Sequence, residues 1–490
     1  MITLGIDLGS SSVKVALVDH GSGRTVAAAQ YPKVEMPIHA PRPGRAEQDP
    51  ELWWHALHHA LGMLSEQADL NEVTAIGIAY QMHGLVCVDK NLEVLRPAII
   101  WCDSRAVETG ERAFRELGAD HCLSHYLNSP GNFTAAKLRW VQENEPEIYE
   151  RIHKILLPGD YLALRLTGEI ATSTSGLSEG IFWDYQNNRP AERLMRHWNI
   201  DSDLLPFYGS CFGATGQIHA NATAELGLRA GTPVTYRAGD QPNNAFSLKV
   251  LQAGEVAATA GTSGVVYGVT DEVRYDPNSR VNTFAHVNHT EKQTRLGVLL
   301  CINGTGIANA WARRLTGETD YDAMNRLAAD VAPGAEGLRV LPFGNGAERM
   351  LENRRIDAQF SGLDYVRHDR AHLYRATLEG IACSFRYGMT IMRQTGVRPS
   401  VIRAGRANLF LSPTFRETLA TLTGSRIELY NSDGATGAAI GAAVGLGVAP
   451  TDAFSNLRVV ETVEPNQKFA DRYEEIFGEW EGLLQEKLAG

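Results

Sequence analysis

Asp7 stands near the end of an apolar run, ITLGIDL, and is followed by Gly9-Ser10-Ser11-Ser12 and a second apolar run, VKVALVD. Aspartate is disfavoured inside strands, so an acid in that place needs a chemical reason. A tight turn of glycine and hydroxyl residues aims several backbone N–H groups to one side, and such a nest holds phosphate oxygens without a lysine. A carboxylate close to bound phosphates is a suitable ligand for Mg2+, usually through water. A plain hairpin turn is the alternative. The pattern returns in TAGTSGVVYGVTD, from Thr259 to Asp271. Laid on the first copy without gaps, it puts Gly261 on Gly9, Thr262 on Ser10, Ser263 on Ser11 and Val265 on Val13. Asp271 then falls on Asp19, and Thr259 takes the place of Asp7. An offset of about half the chain points to an internal duplication. Two such turns facing each other would grip the β- and γ-phosphates of a nucleotide.

Asp240, in AGDQPNN, lies where a strand passes into a helix, the place where α/β proteins put reactive groups. A carboxylate there can take the proton of an alcohol as its oxygen attacks a γ-phosphate. It could equally cap the helix that follows. His83, in QMHG, offers a donor and an acceptor suited to hydroxyl groups, or serves as a satisfied structural histidine. There is no GxxxxGK[ST] and no GxGxxG after a strand, which excludes a P-loop and weighs against a dinucleotide fold.

The elements that must hold these residues fall into two similar halves. The opening hairpin is followed by DPELWWHALHHALGML, where Asp49 can cap a helix and Pro50 suits its first turn. VTAIGIA is a strand ending at YQMHG, NFTAAKLRWVQEN a helix, KILLPGDYLALRLTG a strand leading into a helix. After residue 247 the order starts again with EVAATAGTSGVVYGV, then the strands LGVLLCING, LRVLPFG and VIRAG around the long helix RAHLYRATLEGIACSFRYGM. Helices follow over 414–423 and 435–444. Two domains, 1–247 and 248–490, with a cleft between them are expected for 490 residues.

The composition, 44% hydrophobic and 21% charged, is that of a soluble globular protein. A net charge of −11 without a basic run argues against nucleic acid or anionic membrane as partner. The six cysteines form no CxxC pair, and each is expected to be a small buried apolar residue. No apolar stretch is long enough to span a bilayer, and no leader pattern precedes the first strand, so a cytoplasmic protein is expected.

GIDLGSSSVK, the GTSG turn, and the 358–380 segment AQFSGL…HLYRATLEG together resemble the FGGY carbohydrate kinases of the actin/hexokinase/Hsp70 superfamily. NFTAAKLRWVQEN is similar to the family's N-terminal signature, with Asn132 as the departure. The resemblance implies two actin/hexokinase-like (ribonuclease H-like) α/β domains and a reaction between ATP, Mg2+ and a sugar. It implies phosphates on Gly9, Ser10, Ser11, Ser12, Gly261, Thr262 and Ser263, Mg2+ near Asp7, and adenosine near Ala404, Gly405 and Asn408. Asp240 matches the family's catalytic base. EQDPELWW, QMHG, LRPAIIWCDSR and LLPGDYLALRLTGE are most similar to the xylulokinase branch. That similarity implies phosphorylation of D-xylulose, with Met82, His83, Asp240 and Gln241 at the sugar. Asp103 and Arg105 match a segment near the sugar, with a structural salt bridge as the alternative. A homodimer is the assembly the family suggests. His286 matches a family histidine, and no chemistry is read for it.

Three departures keep other FGGY substrates open: L-ribulose, L-fuculose, D-gluconate or a polyol. Ala404 replaces a glycine in IRAGRANLFLSP, LPFGNGAERMLEN lacks the family's Thr-Pro, and Gln241 stands where Asn is usual. An actin-like ATPase has no use for QMHG, and a sugar-sensing pseudokinase would lack Asp7 or Asp240.

Overall fold

The computed structural model describes residues 1–455 and 457–489. Ile2–Leu8 and Val13–Asp19 pair antiparallel, with Leu8 opposite Val13. Arg24–Tyr31 continues the sheet antiparallel, and Val73–Tyr80 and Val234–Gly239 add in parallel on the other side. The second sheet repeats this plan. Arg426–Tyr430, Val401–Gly405, Glu255–Ala260, Gly264–Thr270 and Leu296–Ile302 have the same order and directions, and Asn282–Ala285 and Val459–Val463 extend the two edges. The duplication expected from the two turns is therefore present in whole sheets.

The two hairpins differ by one residue. Residues 9–12 join the first pair of strands and 261–263 the second, so Asp7 faces Lys14 while Thr259 faces Val265. The ungapped alignment holds up to the turn and slips on the return strand. The shorter second turn admits its fourth residue, Gly264, into the ladder opposite Ala260.

Packing crosses the two halves of the sequence. The helix Gly434–Gly445 belongs to the second half, yet it lies directly on the first sheet. A methyl group at Gly5 would land on the carbonyl oxygen of Ala435, one at Gly77 on that of Ala438, and one at Gly445 on that of Thr235. Thr3 and Thr235 donate their hydroxyls to the helix carbonyls of Ala439 and Ala442 at 2.7 and 2.8 Å. Contact this close needs glycine on both surfaces. Gly77→Ala is expected to destabilise the fold by about 3 kcal/mol or more, because backbone on both sides leaves no room to relax. A thermal midpoint within about 2 °C of wild type would contradict this packing.

The segment between Val73–Tyr80 and Val234–Gly239 docks on the far edge of the second sheet. Asn128 donates to the Thr283 carbonyl at 2.7 Å and accepts from the Thr283 amide at 3.1 Å, and Ser175 donates to the Ala285 carbonyl at 2.7 Å. Buried His286 is part of the same seam. Its Nε2 donates to the Val250 carbonyl at 2.9 Å and its Nδ1 lies 3.1 Å from the Tyr267 hydroxyl. That accounts for both ring nitrogens structurally. The cysteine expectation needs correction: Cys87, Cys122, Cys211 and Cys383 are buried, but Cys102 and Cys301 are exposed. Cys102 lies in the turn after Trp101, and Cys301 is the penultimate residue of the strand Leu296–Ile302. Among the described residues no helix is long and apolar enough to cross a membrane.

Candidate active site

Three parallel strands of the first sheet end side by side, with Leu8, Tyr80 and Gly239 in register. Asp7 precedes the first of these ends, the loop 81–84 follows the second and Asp240 follows the third. Asp240 is the first residue of the helix Asp240–Ser247, and Gly239 holds the cap position with no side-chain cap bond. Asp240 thus stands inside the first turn rather than at the cap position, and its carboxyl accepts from the first-turn N–H groups of Gln241 and Asp240. Burial and the nearby charge of Asp7 push the Asp240 carboxyl up to about 7, against the pull of the Gln241 N–H. Burial also raises Asp7, to about 6, with Lys14 opposing and Asp433 adding to the shift. Asp433 caps the helix Gly434–Gly445 through the Thr436 amide at 2.8 Å, and a methyl on Gly434 would collide with Asp7 Oδ2. The positive end of that helix therefore abuts Asp7.

The two turns have their carbonyls engaged behind them. Ser10 O accepts from Gln48 at 2.7 Å and Ser11 O from the Met36 amide at 2.8 Å. Gly261 O and Thr262 O accept from the amides of Gly306 and Ile307 at 2.9 and 3.0 Å. Ser11, Thr262 and Ser263 remain exposed, whereas the Ser12 hydroxyl is buried against Gln30 at 3.0 Å. Trp101 donates to the Ser10 hydroxyl at 3.4 Å.

His83 has a left-handed backbone, with φ at 62°, held by Lys137, whose Nζ donates to His83 O at 2.7 Å and Ile100 O at 3.0 Å. Burial brings that lysine down to about 7. The His83 ring packs against both Phe133 and Phe284, which also meet each other, and its Nδ1 lies 3.0 Å from the Glu179 carbonyl. Facing a carbonyl, Nδ1 must carry the proton, which leaves Nε2 as an acceptor. Burial, with Lys137 adding, pushes the imidazole down to about 3, so the ring is neutral. Met82 lies against the end of the strand Val234–Gly239: a methyl at Gly239 would come within 2.5 Å of its Cγ. Gln241 is half-buried beside Asp240.

Asp103 and Arg105 are brought to one another. The Arg105 guanidinium bridges the Asp103 carboxylate at 2.7 Å and Glu47 at 2.8 Å, and lies 4.8 Å over the Trp140 ring. Asp103 Oδ2 also accepts from the Ala46 amide at 2.6 Å. Both oxygens of this fully buried carboxylate thus have donors within the protein. The Arg105 and Asp103 side chains are both buried, at 3% and 0% exposure, with Lys137 as an electrostatic neighbour.

Beyond the second turn lies a cavity of about 540 Å3, lined by Gly261, Thr262, Asn309, Tyr321, Asn325 and Asn408 among others. Asn408, with φ at 54°, brings its Nδ2 within 3.6 Å of where a Gly261 methyl would sit. Gly405 is half-buried at the adjoining strand end. The Ala404 methyl is fully buried in the apolar core under the second sheet, which leaves its backbone, next to Gly405, as the part that could approach a nucleotide. Asn309, Tyr321 and Asn325 come from two helices that carry no recognisable motif, and sequence reasoning missed them.

It also missed Glu179 and Arg349. Glu179 is 1% exposed, yet its Oε2 lies 2.7 Å from the position of a Gly239 methyl, and its Oε1 has no hydrogen-bond partner among the described residues. Arg349 is half-buried and donates Nε–H to Ser279 O at 3.0 Å, with Cys301 and His83 as electrostatic neighbours. The preceding Glu348 is fully buried and accepts the amides of Asn303 and Gly304, both at 3.0 Å. The Glu-Arg pair in GNGAERM was the available signal.

Residues 2–247 match the model of the FGGY family of carbohydrate kinases, N-terminal domain, and residues 256–449 match that of the C-terminal domain. The chain is 33% identical over 446 residues to a xylulose kinase of Escherichia coli (strain K12), covering 90% of this chain and 88% of that protein. Among solved structures it is similar to a xyloylose kinase from Brucella ovis, with a TM-score of 0.89, 29% identity, and 99% and 98% of the two chains covered. A Plasmodium falciparum glycerol kinase with ADP also has a TM-score of 0.89, at 19% identity over 99% and 98% of the chains, a likeness of fold alone. With both family models matched in order along two duplicated sheets, this chain belongs to the FGGY family of carbohydrate kinases.

Proposed function

We propose that the protein transfers the γ-phosphoryl group of ATP to D-xylulose, giving D-xylulose 5-phosphate and ADP. The observation that carries this reading is Asp240, held up to about 7 at a strand end beside the Met82–His83 loop, with Asp7 as its charged neighbour. The relatives named xylulose kinase support the choice of ketose. Asp240 accepts the proton of the primary hydroxyl as its oxygen attacks the γ-phosphorus. The bond to the β-phosphate oxygen breaks, and that oxygen leaves with the electron pair. A base with a pKa near the working pH balances being ionised against being basic enough. Met82 and Gln241 flank the sugar, and His83 Nε2 accepts one of its hydroxyls. The exposed N–H groups and hydroxyls of the two turns take the phosphates, and adenosine enters the cavity by Gly405 and Asn408.

Asp7 suits Mg2+ by its hard oxygens. Among the described residues no group of three His, Cys, Asp or Glu could hold a metal, which fits an ion that draws most of its ligands from phosphate and water. Such an ion would neutralise charge on the phosphates. A cytoplasmic setting and a dimer accompany this reading.

A coupled ADP-release assay across D-xylulose, L-ribulose, L-fuculose, D-gluconate and a polyol tests the assignment. D-xylulose is expected to have the highest kcat/KM; a tenfold preference for another sugar overturns the choice. The pH profile is a separate test. Asp240 works deprotonated, so kcat/KM for the sugar should climb with pH to an apparent pKa near 7 and then level off. Because Asp7 raises that value, Asp7→Asn should move the limb to lower pH. The apparent values belong to the coupled pair rather than to either residue alone.

A further inference from the structure

The Glu179 carboxyl group is buried at the end of the short helix Thr174–Glu179, and its Oε1 lacks any hydrogen-bond partner among the described residues. An orphaned buried oxygen needs an explanation. The cations nearby do not supply one: Lys137 donates to the carbonyls of His83 and Ile100, and Arg237 is paired with Asp160 at 3.0 Å. The other charged neighbours, Asp240 and Asp160, are acids that disfavour a second negative charge. Burial and these acids raise the Glu179 carboxyl well above the usual range, against the His83 N–H and the Tyr80 hydroxyl, which favours the neutral form that can donate as well as accept. An anion is a poor partner for such a site, and a neutral hydroxyl group is a good one.

Its position selects which hydroxyl-bearing molecule that is. Glu179 uses its backbone carbonyl to fix the tautomer of His83, 3.0 Å away. Its side chain reaches Gly239, the residue before Asp240, where any methyl would lie 2.7 Å from Oε2 and 2.5 Å from Met82 Cγ. Gly239 is bare at the point where Glu179, Met82 and Asp240 converge. One residue thus bonds His83 and adjoins the meeting point of Met82 and Asp240 in the proposed sugar pocket. We propose that Glu179 is a specificity-determining residue of that pocket, its carboxyl group hydrogen-bonding a hydroxyl of the bound neutral sugar. This rests on the sugar-kinase reading above and adds a contact to it.

Two variants and three readouts test it. Glu179→Leu removes the polar group at similar volume, and Glu179→Gln keeps a donor and an acceptor. For the leucine variant, KM for D-xylulose is expected to rise about tenfold to a hundredfold, the usual effect of losing a hydrogen bond to a buried polar group. Its kcat should change less than about threefold and its KM for ATP should stay put, which a general loss of structure would not produce. Glutamine should restore the sugar KM to within about threefold of wild type. The inference is overturned if leucine leaves the sugar KM unchanged, if kcat and both KM values deteriorate together, or if glutamine behaves like leucine. Should wild type prefer another sugar, the reading of D-xylulose fails, and the same comparison made on that sugar still decides Glu179. Wild type that neither phosphorylates nor, by calorimetry, binds any of the sugars overturns both.

Discussion

Asp240→Ala is expected to lower turnover by about a hundredfold to ten-thousandfold, the range for removing a general base. Sugar affinity should stay within a few-fold, because Met82, His83 and Gln241 remain. Asp240→Asn gives the sharper comparison, since an amide of the same shape cannot take the proton and should be equally inactive. Neither variant should unfold the protein. Asp240 stands one residue inside its helix rather than at the cap, and its carboxyl is raised by burial and by Asp7, so removing it relieves an unfavourable charge. Thermal midpoints at or above wild type are expected near neutral pH, where that carboxyl begins to ionise. A variant with more than about a tenth of wild-type turnover would eliminate Asp240 as the base.

Asp7→Ala is expected to cost about a hundredfold to a thousandfold in kcat/KM for ATP, comparable to losing one preorganised group that stabilises transition-state charge. Thr259→Ala, at the corresponding place in the second hairpin, should stay within about twofold. The register explains the difference. Asp7 faces Lys14 across its hairpin and meets the start of the helix Gly434–Gly445, whereas Thr259 faces Val265. Raising Mg2+ should partly rescue a conservative Asp7→Asn variant and leave Thr259→Ala untouched. Equal losses in both alanine variants would mean that the two turns hold phosphate alike and that Asp7 has no separate role with the cation.

The local features were legible because they are local. Strand polarity, the Gly-Ser turns, and the cap and first turn at Asp49 and Pro50 depend on neighbours in sequence, and the helix Pro50–Ser65 begins as those residues require. Asp103 and Arg105 show the limit. Their two-residue spacing suits a salt bridge or a binding site equally, and only the arrival of Glu47 and the Ala46 amide from a distant segment supplies the further partners of both side chains. Where the Ala404 methyl lies was hidden for a similar reason. Alternation along a strand gives two faces, and the packing of the second core decides which of them alanine occupies.

By itself the sequence determined the family, the duplication, and the strand ends that present Asp7, His83 and Asp240, since these follow from motifs and from the order of short elements. The tertiary structure decided what those ends meet. The helix Gly434–Gly445 is built of small residues with no apolar stripe, so nothing in its periodicity says that it crosses to the first sheet and places its N-terminus against Asp7. Glu179 lies at the end of a six-residue helix and acquires meaning only from Gly239, which is distant in sequence. Contacts between remote segments depend on how surfaces fit once each sheet has formed, and a linear pattern does not encode that fit at any single position.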